Sequence, residues 1–330
     1  METQLSSIEF QQAILAIESS ASSAEEKIDM LMEIALGLQQ RPQSAVQLND
    51  AVCLYDKALE LCHEGQRLLR ARVRARRATA LQIMPDAGAT YLLKARDDMR
   101  AALEVIEQEA EELEIAESHM NLGLIEQALS NFHQAKIADA IMHYQKALQT
   151  FNCNDYPAEF AILNNNLATA YLSIPMSDER ASMREALAVQ SFQAALQVIT
   201  IENDPNEYAM LQNNLGNALQ YASSTHDIEN NLLALEAYDE ALRVRDRINT
   251  PLSYANTISN KANCLRNLPD YAANPGWGNK KRLTEARALC EEAAAIYGEF
   301  GEGEKQRLLG EIIEEIRMEE TSGTKTQAGD

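Results

Sequence analysis

One spacing constrains this chain more than any other. Ala, three residues, a bulky residue, two residues, then Ala-Leu or Ala-Ala recurs six times. The copies run through Ala51, Tyr55 and Ala58, through Ala95, Met99 and Ala102, and through Ala140, Tyr144 and Ala147. They continue through Ala188, Phe192 and Ala195, Ala234, Tyr238 and Ala241, and Ala286, Cys290 and Ala293. Successive copies start 44, 45, 48, 46 and 52 residues apart. The positions involved lie along one stripe of an α-helix. Each copy therefore predicts a helix in which Ala admits a close neighbour and the bulky residue fills the space beside it. A near-regular period of this length predicts stacked supersecondary units.

A second helix precedes each copy and also repeats. It reads HMNLGLIEQA from His119, ILNNNLATAY from Ile162, MLQNNLGNAL from Met210 and TISNKANCLR from Thr257. Asn121, Asn166, Asn214 and Asn260 are equivalent, and Gly123, Ala168, Gly216 and Ala262 follow as the small contact residue. RVRARRATALQIMP is an earlier, degenerate copy. Pro157, Pro205 and Pro251 stand at the first turn of leading helices, where a missing N–H costs little. Pro85, Pro175 and Pro269 end leading helices.

These pairs predict an organisation for the whole chain. Residues 1–45 hold N-terminal helices, partly a degenerate repeat, and 46–110 hold two degenerate repeats. Four clearer repeats occupy 111–300, a capping helix 301–320, and a polar tail, expected to be disordered, 321–330. Leu308, Leu309, Ile312, Ile313 and Ile316 form the cap's apolar stripe. The expected fold is all-α, with about 13–15 helices.

The combination of N-L-G/A with A-x3-Y/F-x2-A-L resembles the tetratricopeptide repeat (TPR). Asn166-Leu167-Ala168 with Ala188, Phe192 and Ala195, and Asn214-Leu215-Gly216 with Ala234, Tyr238 and Ala241, carry the likeness. The period exceeds the family's usual one, and in this the chain is similar to kinesin light chain and to long bacterial, especially cyanobacterial, arrays. The resemblance implies a right-handed superhelical solenoid of antiparallel helix pairs. It implies a concave groove that holds a partner peptide or helix, and it implies no chemistry. Positions that face the groove in similar repeats correspond here to Asn165, Thr169, Met210, Asn213, Asn217, Gln220, Asn256, Asn263 and Arg266. Amide side chains offer both donor and acceptor, so a row of them can satisfy an extended peptide backbone.

Charge is unevenly placed. The formal net charge is -21, which disfavours nucleic acid and anionic membrane as partners. Yet Arg67, Arg70, Arg72, Arg74, Arg76 and Arg77 fall within eleven positions, and Arg72 and Arg76 lie nearer the expected groove. Such a block either docks an acidic or phosphorylated partner, or a small anion, or pairs internally with Asp86, Asp97, Asp98 or the acidic segment that follows. That segment, Ala101 to Asn121, contains no Lys or Arg. It is expected to be a solvated face or a complement to the arginines.

Other features narrow the function. Thirteen Gly in 330 residues leave little for phosphate-binding loops. His63, His119, His133, His143 and His226 form no H-E-x-x-H, and no nucleophile elbow occurs. No catalytic residue, metal or cofactor is expected. The five cysteines are odd in number and scattered, which suits reduced thiols in the cytoplasm. No apolar run reaches membrane-spanning length, and the first residues do not read as a signal peptide. Trp277, the sole Trp, stands in a loop where it could contact a partner. The expected function is a scaffold or adaptor for partner proteins. The alternatives are a regulatory anion site on the arginine helix 66–80 and a self-associating array that dimerises through a terminal apolar face.

Overall fold

The computed structural model describes residues 14–15, 17, 19–42, 44–85, 88–174, 181–222, 227–271, 273 and 278–322. Among them are thirteen helices and no strand. They are α1 (Ala24–Gln40), α2 (Ala45–Leu61), α3 (Arg67–Gln82), α4 (Thr90–Glu109), α5 (Glu112–Ser130) and α6 (Ile137–Ala147). Then follow α7 (Pro157–Ser173), α8 (Ala181–Ala195), α9 (Pro205–Gln220), α10 (Asp227–Leu242), α11 (Pro251–Arg266), α12 (Lys280–Glu299) and α13 (Gly303–Ser322). The chain forms two compact units that divide between Asp155 and Tyr156. That boundary falls inside the segment 111–300, which the sequence presents as one run of repeats. The first unit contains the pairs α1/α2, α3/α4 and α5/α6. The second contains α7/α8, α9/α10 and α11/α12, closed by α13.

Local chemistry explains the helix limits. Pro157, Pro205 and Pro251 are the first residues of α7, α9 and α11. Side-chain carboxylates and amides shape the turns before them. Asn152 accepts the N–H groups of Asn154 and Asp155 at 3.0 Å, and Asp246 accepts those of Ile248 and Asn249 at 2.8 Å. Asp204 caps α9 by accepting the Glu207 N–H at 3.1 Å. Ser23 and Glu26 form a reciprocal capping box at the start of α1. After α12 the chain turns at Gly301, where φ is 77° and a Cβ would be strained. Trp277, His226, Asp86, Pro175 and the tail beyond Ser322 lie outside the described residues.

The repeat motif is the packing unit. Every Ala and bulky residue named in its six copies is exposed by 1 % or less. The small residue of the leading helix sits directly against the bulky residue of the second. A Cβ at Gly123 or Gly216 would lie 2.5 Å from Cε1 of Tyr144 or Tyr238 respectively. The tyrosine hydroxyl then reaches an amide one helical turn beyond that small residue. Tyr144 donates to Gln127 at 2.6 Å, Tyr55 to Gln39 at 3.2 Å, and the Tyr238 hydroxyl lies 2.8 Å from both Gln220 and Asn217. Where the bulky residue is Phe192, with no hydroxyl, the corresponding position is Leu172. Substituting Gly216→Ala should gain about 1 kcal/mol of helix propensity but lose more to overpacking, for a net loss of about 2 kcal/mol. Urea denaturation measures it, and an unchanged midpoint would contradict the close approach.

Each unit has an inner side. The leading helices α1 and α3, α3 and α5, and α9 and α11 touch one another, whereas the second helices make no comparable contact. These leading helices thus share one side of their unit. At the C-terminus, α13 buries Leu309, Ile313 and Ile316 against the preceding helices. Leu308, expected in that stripe, is 45 % exposed. The outer face of α13 carries the ion pairs Arg307–Glu311 and Arg317–Glu314, each at 2.6 Å. A charged face ends a stack in the way that a terminal repeat requires.

Candidate functional site

The arginine block on α3 is largely consumed internally. Arg77 holds Asp98 through two bonds of 2.7 Å and also pairs with Asp56. Arg67 pairs with Glu109 at 3.0 Å, and Arg70 donates to the Cys62 carbonyl at 2.6 Å. Arg72 grips both carboxylate oxygens of Glu114 at 2.9 and 2.8 Å. Arg74 and Arg76 form no ion pair among the described residues. Arg74 is half-buried, and its Nε has no hydrogen-bond partner. The internal-pairing alternative thus describes most of the block, with Asp98 and the acidic segment as partners. Asp97, expected as a further partner, instead lies 3.8 Å from its chain neighbour Arg96.

The inner face of the first unit is hollowed by an open groove of about 800 Å³. Arg72 and Arg76 of α3 line one wall. Glu109, Glu111, Glu114 and Glu117 also line the groove, from the end of α4 into α5. Met32, Ala75, Ile106 and Leu113 supply its apolar surface. Arg72 and Arg76 therefore do lie on the groove side, as their helical phase predicts. The Arg72–Glu114 fork and the Gln39–Thr79 bond of 2.9 Å both tie one leading helix to the next.

The second unit carries the amide-rich face on α7, α9 and α11. Asn256 is exposed, and Asn165, Thr169, Met210, Asn217, Asn263 and Arg266 are half-buried. Asn263 donates to the Tyr221 hydroxyl at 2.8 Å, across the leading helices α11 and α9. Oδ1 of Asn165 is buried without a hydrogen-bond partner. Two expectations need correction. Asn213 and Gln220 are only 4 % and 8 % exposed and do not face an open groove. Asn213 accepts from Asn260 at 3.2 Å where α9 meets α11, and Gln220 meets the Tyr238 hydroxyl. The reason is register: Gln220 lies one turn beyond Gly216, where the buried tyrosine ends. Arg266 is drawn away by the capping helix, pairing with Glu315 at 3.0 Å and with Glu319.

Two buried polar pairs were not singled out by the sequence. Nδ1 of His119 and Nδ1 of His143 are 3.0 Å apart, with the rings stacked at 5.1 Å between centroids. Nε2 of His119 lies 3.2 Å from the Glu107 carboxylate, which can only accept. His119 therefore carries its proton on Nε2, and His143 donates from Nδ1. Burial holds both histidines neutral, with the nearby positive charge of Lys146 adding to it; His143 is pushed down to about 4. The second pair is Glu126, fully buried on α5, with Arg100 of α4 at 2.6 Å. The only signal for the histidines is that His143 precedes the buried Tyr144 and His119 shares the interior side of α5.

No group of three or more His, Cys, Asp or Glu among the described residues is arranged to hold a metal ion. Among the described residues no helix is long and apolar enough to cross a membrane. No protein-family model matches the chain, and no curated protein sequence matches it. Among solved structures it is similar to the crystal structure of BtubC (BKLC) from P. vanneervenii. The TM-score is 0.50 at 21 % identity, over 72 % of this chain and 92 % of that one. At this identity the likeness concerns the fold alone, and it agrees with the all-α array of helix pairs described above.

Proposed function

We propose that the protein is a non-enzymatic interaction scaffold that holds segments of partner proteins against its leading helices. The observation that carries this reading is the contact of α1 with α3, α3 with α5 and α9 with α11, which gives each unit a face built from successive leading helices. Such faces grow by repetition and suit extended or helical ligands. In the second unit Asn165, Thr169, Asn217, Asn256 and Asn263 are the residues proposed to meet a partner, with Met210 beside them. The buried Asn213 and Gln220 hold that face in place.

Quantitative affinity capture from native cells tests the reading. The bait is the full chain, compared with an Asn256→Arg/Asn263→Arg variant whose melting curve matches the wild type. Partners that are recovered with the wild type and lost at least about tenfold with the variant are expected, because a long cation on a contact face costs at least about 1.4 kcal/mol. Equal recovery of every partner would remove the second unit's inner face from the proposal.

A further inference from the structure

The cavity on the first unit has a charge pattern that the sequence alone does not suggest. The arginine block reads as an anion site, yet Arg67, Arg70, Arg72 and Arg77 already have internal partners. Arg76 is the one member of the block that both lines the cavity and lacks an ion pair among the described residues. Against two guanidiniums the lining sets four carboxylates, of which Glu109 is paired with Arg67 and Glu114 with Arg72, leaving Glu111 and Glu117 outside those pairs. Glu111 is exposed and enters no ion pair among the described residues. A polyanion approaching this groove is repelled by more charges than attract it.

Apolar surface lies directly beside those carboxylates. Leu113 lines the cavity and remains 38 % exposed between Glu111 and Glu117, and Ala75 is part of the same lining. Lys and Arg are the side chains that match both surfaces at once, because their aliphatic stems cover apolar groups while their heads stay among carboxylates.

We propose that the inner groove of the first unit binds a basic partner segment, one that carries Lys or Arg next to an apolar residue. Its cations lie over Glu111 and Glu117, and its apolar group lies on Leu113 and Ala75. This rests on the scaffold reading and names the partner chemistry for one of its two faces. The Arg76 guanidinium, in the same lining, receives backbone carbonyls or an acidic group of the same segment.

Fluorescence anisotropy on the full chain tests this with three labelled peptides of one length: Lys/Leu, Gln/Leu and Glu/Leu. The Lys/Leu peptide should bind about tenfold tighter than the Gln/Leu peptide at low ionic strength and weaken steadily as salt is added. Glu111→Gln/Glu117→Gln should weaken it about fivefold, as two partly exposed ion pairs would. Glu285→Gln/Glu304→Gln, on exposed positions of the second unit, should leave it unchanged. Circular dichroism melts confirm that each variant is folded. Equal losses from both double variants would mean attraction to the acidic chain in general and would overturn the site. Tighter binding of the Glu/Leu peptide, lost in Arg76→Gln, would overturn it in favour of an anion site. Either result leaves the capture experiment on the second unit intact, so the two readings fail separately.

Discussion

Replacing Arg100 with Met should cost about 3 kcal/mol of stability, the largest loss expected from any single surface-reaching side chain in this protein. Arg100 itself is half exposed, but its partner Glu126 is completely buried on α5. Oε1 of Glu126 is held by Arg100 at 2.6 Å, and Oε2 has no hydrogen-bond partner. Without the guanidinium a desolvated carboxylate is left in the helix interface with nothing to offset its lost hydration. Removing both partners is a different case. The double variant Arg100→Met/Glu126→Leu should return to within about 1 kcal/mol of wild type, because no charge is then buried. Chemical denaturation of the single and double variants closes the cycle. A single Arg100→Met loss below about 0.5 kcal/mol would show that Glu126 is solvated by another route.

Acid should weaken the protein through the paired histidines. Burial, with the charges of His119, Lys146 and Arg100, holds His143 at about 4, against an ordinary value of 6.5; Asp139 acts weakly in the other direction. His119 is lowered too, by burial and Lys146, with Glu107 opposing. The unfolded chain therefore binds more protons than the folded one as pH falls from about 6.5 towards about 4. Stability from this source is fully present above about 6.5 and is lost through that window. For His143 the loss should reach about 2.5 kcal/mol by pH 4.5. The geometry adds a limit of its own. Once His119 carries a second proton on Nδ1, Nδ1 of His143 must become the acceptor, with its own proton moved to Nε2, and a second added proton would set two N–H groups against each other across 3.0 Å. Carboxylates also titrate in this range, so the decisive quantity is a difference. The fall in stability between pH 7.5 and pH 4.5 should be about 2.5 kcal/mol smaller in His143→Gln than in the wild type. Identical pH profiles would remove the histidine pair from the acid response. Arg100→Met links the two experiments, since losing that charge should raise the His143 value.

Much of the fold is legible in the sequence because the determining contacts are local and repeated. Ala at the start of each motif and a bulky residue four later fix one helix face. The proline at the first position of α7, α9 and α11 fixes where a leading helix begins. The apolar residues of α13 announce a cap, with Leu308 the one misplaced member. The sites are less legible. Asn213, Asn217 and Gln220 sit on nearly the same stripe of α9, and their sequence environment does not separate them. Their fates differ because the crossing of α9 with α10 and α11 buries the first and third. The arginines show the same limit. Composition reveals a surplus of acids that could pair with them, but Asp98, Glu109 and Glu114 are selected only when α3, α4 and α5 come together.

By itself the sequence determined the period, the helices and the small-against-bulky contact that joins each pair. These depend on residues within about one repeat of one another, where spacing translates directly into a shared face. Tertiary structure decided which polar side chains remain available for a partner. That choice depends on burial and on charges brought together from helices far apart in the chain, and neither quantity exists until the helices pack. This is why a block of six arginines on α3 lines, in the folded protein, a groove whose balance is acidic.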